Sequence, residues 1–244
     1  MGKHGGHYLG RFLATIENGF SAMQFKADVE GLKFGLGGYD NLDVEDVPPS
    51  DLQIDLAGKG RSLHQVVQSL NGHIYWYAGS GIVPNSNLNF FFSDLVTEVL
   101  STLNPLSQQS NLTALDCGVV AAEFANAQAV IEPIVIQTDK TTAFSEGLVN
   151  LATEELELIF NTKARKGLGL SASSVANPFF KIGGTLKKPA IEFDTTRGMI
   201  SGGTMVATAG LSILYKSVSD RFLSSKDPCG DARSVIKARS KGSP

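Results

Sequence analysis

The side chains of this 244-residue chain that are fit for chemistry are its histidines, its cysteines and a short glutamate run. His4 and His7 lie in a glycine-rich leader, and His64 and His73 stand apart. None has a Ser, Cys or carboxylate at a spacing used in nucleophilic or acid–base catalysis, so structural or solvent roles are expected for them. Cys117 and Cys229 cannot hold a metal by themselves, and no histidine stands at ligand spacing from either, so no metal and no cofactor is expected. Two readings of the pair stay open. A disulfide would close a loop of roughly a hundred residues, contribute about 4 to 5 kcal/mol by chain entropy and require an oxidising compartment; otherwise both are unpaired thiols, with Cys117 buried in a strand.

The carboxylates have an equally plain reading. Strand periodicity puts Glu155 and Glu157 on the side opposite Leu156 and Leu158, and the cluster with Glu154 reads as a solvent face. Gly167 to Ala172 superficially fits a dinucleotide-binding loop, but Pro178 falls where the phosphate-facing helix should grow. Gly79-Ser80-Gly81 likewise reads as a turn. No catalytic residue emerges, and a non-enzymatic protein is expected.

Composition narrows the partners. Hydrophobic residues make up 42% and charged residues 18%, and the formal net charge is −3. Nucleic-acid binding needs clustered cations that release counterions, and no such stripe exists. Lys163, Arg165 and Lys166, then Lys187 and Lys188, then the tail from Arg233 to Lys241 read as solvated turns and a tail rather than a headgroup-binding patch. Met1 to Gly10 lack the basic and apolar regions of a secretory signal, so either a cytoplasmic protein or a fragment whose targeting segment lay upstream is expected. Gly198 to Tyr215 is uncharged, but its glycines, serines and threonines make a poor membrane span; a packing helix is expected there.

Alternation with period two dominates the elements. Tyr8 to Ile16, Phe20 to Val29, Leu52 to Leu56, His73 to Ala78, Leu115 to Phe124, Ile134 to Thr138, Ala143 to Leu151, Leu156 to Thr162, Phe179 to Leu186 and Ala190 to Asp194 read as strands, with Asp40 to Ser50 as a loop. Helices are few. Ser62 can cap one whose apolar face is Leu63, Val66, Val67 and Leu70. A longer one is expected from about Asn87 to Leu103, presenting Phe91, Phe92 and Leu95, and a closing one over 196–225, presenting Leu211, Leu214 and Val218. Residues 226–244 read as a flexible tail held at most by Cys229.

These elements imply a mainly β fold, an extended curved antiparallel sheet of groove or taco shape, with a few amphipathic helices including one at the C-terminus. Many strands carry one wholly apolar face and few helices exist to cover it. The candidates for lining the resulting groove are Ile54, Leu56, Ile74, Trp76, Leu156, Leu158 and Phe160. Phe90-Phe91-Phe92 spans about 200° of a helix, too much for one sheet contact, so either core packing or contact with acyl chains at a membrane interface serves the remainder.

A resemblance to a family follows from Asp51 to Leu56 with Gly58 and Gly60-Arg61-Ser62, from Ser69-Leu70-Asn71-Gly72, from Leu115-Asp116-Cys117, from Gly147 to Leu151 followed by Glu154 to Phe160, and from Gly183-Gly184-Thr185-Leu186-Lys187-Lys188-Pro189 with Phe193-Asp194. In that order they resemble the C-terminal region of the AsmA family, envelope proteins of Gram-negative bacteria. Each piece also has a local reason: Asn71-Gly72 and Gly183-Gly184 supply positive φ at reversals, and Pro189 ends one strand before Ala190 begins the next. The resemblance implies upstream strands of one sheet over 1–50, an AsmA-like domain over 51–195, and a periplasmic protein anchored in the inner membrane by an N-terminal helix that this chain lacks. It further implies an apolar groove binding or conducting phospholipid acyl chains between inner and outer membranes, with envelope proteins as partners. The competing expectation is an assembly module that affects outer-membrane protein targeting through protein contacts.

Overall fold

The computed structural model of the chain describes residues 7–17, 19–33, 43–84, 112–165, 180–193 and 221–242. The helix expected from Asn87 to Leu103, with Phe91, Phe92 and Leu95, lies outside them, as do Gly167 to Ala172 and Leu211, Leu214 and Val218. The described strands form one open antiparallel sheet of eleven. In chain order they are β1 (His7–Glu17), β2 (Phe20–Lys33), β3 (Pro49–Gly60), β4 (Asn71–Ala78), β5 (Gly81–Pro84), β6 (Leu112–Ala125), β7 (Gln128–Thr138), β8 (Thr141–Asn150), β9 (Leu156–Ala164), β10 (Phe180–Thr185) and β11 (Lys188–Phe193). Neighbours in sequence are neighbours in space. The one departure is β5, which continues beyond the Gly79-Ser80 bend to pair with the first residues of β6.

Short reversals hold this meander in register. Asn126 and Ala127 take φ of 52° and 59° between the paired ends Ala125 and Gln128, the double positive φ that suits the twist of a two-residue hairpin. Thr141 and Lys140 donate backbone N–H groups to Thr138 Oγ1 at the β7–β8 turn, and Asn150 Oδ1 accepts from the amides of Ala152 and Thr153 before β9. Of Gly183 and Gly184, it is Gly184 that takes positive φ, at 86°. Pro189 does not end a strand as expected; it pairs with Gly184 inside β11, an edge strand where a missing N–H costs no ladder bond on the open side. Glu154 is a turn residue with φ of 62°, and β9 begins two residues later at Leu156, where the alternation places its start.

Helix α1 (Leu63–Gln68) connects β3 to β4. Ser62 Oγ accepts from Gln65 N, while Gln65 Oε1 accepts from Arg61 N, so the first turn is capped from both directions. Val66 is its buried contact and Leu63, expected on the same face, is 71% exposed, because the helix is too short for a full stripe to reach the sheet.

The expected flexible tail over 226–244 is instead helix α2 (Pro228–Gly242), docked on β6 and β7. Asp227 Oδ1 accepts from Gly230 N, and Pro228 sits at the first helical position. Cys229, Ala232 and Ile236 recur at helical spacing on the buried side, with Phe222 and Leu223 just before them. Cys229 is disulfide-bonded to Cys117 of β6, 112 residues away, which resolves the open choice for that pair.

Candidate functional site: the apolar face of the sheet

Residues directly opposite in a ladder share a face, so the registers trace rows of side chains across the strands. One row runs Tyr8, Val29, Leu52, Trp76, Val120, Ile134, Ser145 and Phe160 from β1 to β9, and its backbone register continues to Phe180 and Phe193. The next runs Gly10, Ala27, Ile54, Ile74, Ala122, Ile131, Gly147, Leu158 and Ile182. A third runs Phe12, Phe25, Leu56, Gly72, Phe124, Ala129, Val149 and Leu156. At the usual strand spacing the longest row extends roughly 40 Å.

Every groove candidate read from the sequence belongs to these rows, and so all share one face. Ser145 is the single polar residue among them. Its Oγ is fully buried and has no hydrogen-bond partner among the described residues.

The face divides into two halves. Toward β8–β10, Leu156 and Leu158 are 9% and 7% exposed and pack with Val149, Leu151 and Ile182, while Val67 of α1, Leu70 just beyond it, Phe124 and Phe160 close around them. These are core side chains rather than a lining. Toward β1–β4, Ile54, Leu56, Ile74 and Trp76 are part-exposed, and Phe25 and Phe12 are 39% and 61% exposed. Gly118 makes room for the indole here: a β-carbon at that position would stand 3.1 Å from Trp76 Cζ3.

The opposite face is built differently. Over β2 and β3 it is polar, with Lys26 and Asp55 paired at 2.6 Å. Over β4 to β8 it is apolar and covered: Tyr75, Val119, Ala121, Val135 and Phe144 pack with Phe222, Leu223, Cys229, Ala232 and Ile236. Phe222 stacks on Phe144 at 5.2 Å, and the Arg233 guanidinium lies 3.9 Å from the Tyr77 ring centre and 3.4 Å from Asp51. Thus the described part of the C-terminal segment covers the side facing away from the groove candidates. On the candidate face, α1 is the described helix that packs.

Charge on the covered side collects where α2 ends. Arg239 reaches Glu132 at 3.1 Å and Glu123 at 3.9 Å, and Tyr75 donates to Glu123 at 3.5 Å. Burial, and then the Glu123 carboxylate, push the Tyr75 phenol up. Glu146, 7% exposed, is pushed up to about 7, first by burial and then by the neighbouring Glu132, against the opposing pull of Arg239. Elsewhere His64 bonds Gln68 and His73 stacks on Tyr75.

Sequence reasoning missed Leu52, Val120, Phe124 and Ile134 of the candidate face, although their alternation was visible. It also missed the Arg233–Tyr77 contact, for which no local signal exists. Among the described residues no helix is long and apolar enough to cross a membrane. No protein-family model, curated protein or solved structure matches this chain.

Proposed function

We propose that the chain is a non-enzymatic, AsmA-like envelope protein whose apolar sheet face binds the acyl chains of phospholipid, with the part-exposed half across β1 to β4 as the binding surface. The observation that carries this reading is the asymmetry of the two faces. Over β2 and β3, where no described helix covers it, the outer face is polar, whereas the rows through Ile54, Leu56, Ile74 and Trp76 on the other side of the same strands are apolar and part-exposed. Each acyl methylene withdrawn from water gains about 0.8 kcal/mol, so such a surface holds a chain without a charged clamp and lets it slide. Headgroups stay in water, and no bond is made or broken. A periplasmic setting agrees with the Cys117–Cys229 disulfide.

Trp76 is the only tryptophan of the chain, so its fluorescence reports on this face alone. Phospholipid brominated along the acyl chain should quench it, and Ile74→Asp should abolish the quenching while far-UV circular dichroism stays unchanged. Full emission from the wild-type protein at saturating brominated lipid would refute the reading and leave a scaffold that acts through protein contacts.

A further inference from the structure

The two edges of the sheet are built in opposite ways. β11 is six residues long and carries Lys188 and Pro189, the charge and the missing donor that discourage another strand from pairing. β1 is eleven residues long, has no proline, and among the described strands pairs with β2 alone. Its candidate face is wholly apolar in character and exposed, with Tyr8, Phe12 and Ile16 at 79%, 61% and 78%; the other face mixes Leu9 and Leu13, at 78% and 49%, with His7, Arg11 and Thr15. An edge left in water is normally kept short or interrupted by proline or a bulge. This one is long and unbroken, its candidate face carries no charge, and every second residue along it leaves a backbone N–H and C=O pointing outward.

We propose that β1 is an interface for a second copy of this chain, paired antiparallel with its own β1 about a two-fold axis at Phe12. The strand is self-complementary in that register. On the candidate face Phe12 meets Phe12 and Tyr8 meets Ile16, and on the other Leu9 meets Thr15 and Arg11 meets Leu13, so that aromatic and aliphatic side chains pair on the candidate face and the Arg11 charges stay apart. Sliding the axis to Arg11 would set two guanidinium groups against each other, which disfavours that register. A two-fold axis normal to the sheet keeps like faces together, so the rows through Tyr8 and Phe12 would run on into the partner and join two apolar faces into one. The inference rests on the edge itself and stands whatever the face binds.

The test is the oligomeric state of the full chain by sedimentation velocity across the micromolar range, for the wild type and for Phe12→Lys. A wild-type dimer, with Phe12→Lys monomeric and its circular dichroism unchanged, is the expected result. Because Cys117 and Cys229 are joined, Phe12→Cys introduces the only free thiol and should crosslink to a dimer on mild oxidation, whereas Lys188→Cys at the other edge should not. A monomeric wild type, a dimer that survives Phe12→Lys, or crosslinking through Lys188→Cys in place of Phe12→Cys would each overturn the proposal.

Discussion

Trp76 and Tyr77 are neighbours in β4 that serve opposite sides of the sheet. Trp76 lies in the apolar row between Leu52 and Val120, over the bare backbone of Gly118. Tyr77 lies under Arg233 of α2. One residue of register therefore separates the surface proposed for lipid from the surface that the C-terminal helix has already occupied.

Filling the space at position 118 should act on the first of these surfaces. Gly118→Val adds a side chain where the β-carbon alone would stand 3.1 Å and 3.2 Å from the indole. The ring must swing away, so the expected outcome is a shift in Trp76 emission and a loss of about 1 to 3 kcal/mol, read from denaturant unfolding.

Ser145 offers the reverse case. Its buried Oγ lacks a partner in an otherwise apolar row, and an unmade buried hydrogen bond costs about 1 to 3 kcal/mol. Ser145→Ala removes the hydroxyl with little change in volume and should raise the unfolding midpoint; a lower midpoint would show that the hydroxyl is satisfied.

The fold was legible from the sequence to the extent that period-two alternation and reversal residues reveal it. Ile54 and Ile74, or Leu156 and Leu158, announce a strand face by themselves, and the rows follow once hairpins fix the register. The bulges were not legible. Between Ile131 and Ile134 the β7–β8 ladder shifts at Glu132 and Pro133, so alternation read straight through would misplace half of β7. Helix α2 escaped because its buried positions are Cys229, Ala232 and Ile236, two of them small, spaced among lysines, arginines and serines that resemble a solvated tail. Its burial comes from the sheet it meets, which no local pattern records.

The disulfide should decide whether that helix stays. Closing a loop of 112 residues restricts the unfolded chain by about 4 to 5 kcal/mol in the chain-entropy estimate. Cys117→Ser with Cys229→Ser should lower the melting temperature, and amide exchange should show α2 losing protection ahead of the strands.

Arg233→Ala should loosen the same helix more gently. It deletes the contact over Tyr77 and a part-exposed ion pair with Asp51, together worth about 1 kcal/mol. Faster proteolysis within 228–242, with strand protection unchanged, is the expected readout.

Stability should also depend on pH through Glu146. Its carboxyl is pushed up to about 7 in the folded protein from an ordinary 4.5, so between those values the folded state holds a proton that the unfolded chain has released. Where the folded state binds more protons, stability falls as pH rises. The contribution of this group should therefore decline from about pH 4.5 to pH 7 and then level off, by an amount on the order of 2 kcal/mol. The other groups near Glu146 constrain the readout: Glu132 raises its pKa, and Arg239, bonded to Glu132, lowers it. Unfolding midpoints measured across this range should fall for the wild type and flatten for Glu146→Gln, which keeps the shape of the protonated acid. Arg239→Gln should carry the decline to higher pH before it levels off, because losing the guanidinium raises the Glu146 pKa further; a profile unchanged by either substitution would assign the pH dependence to another group.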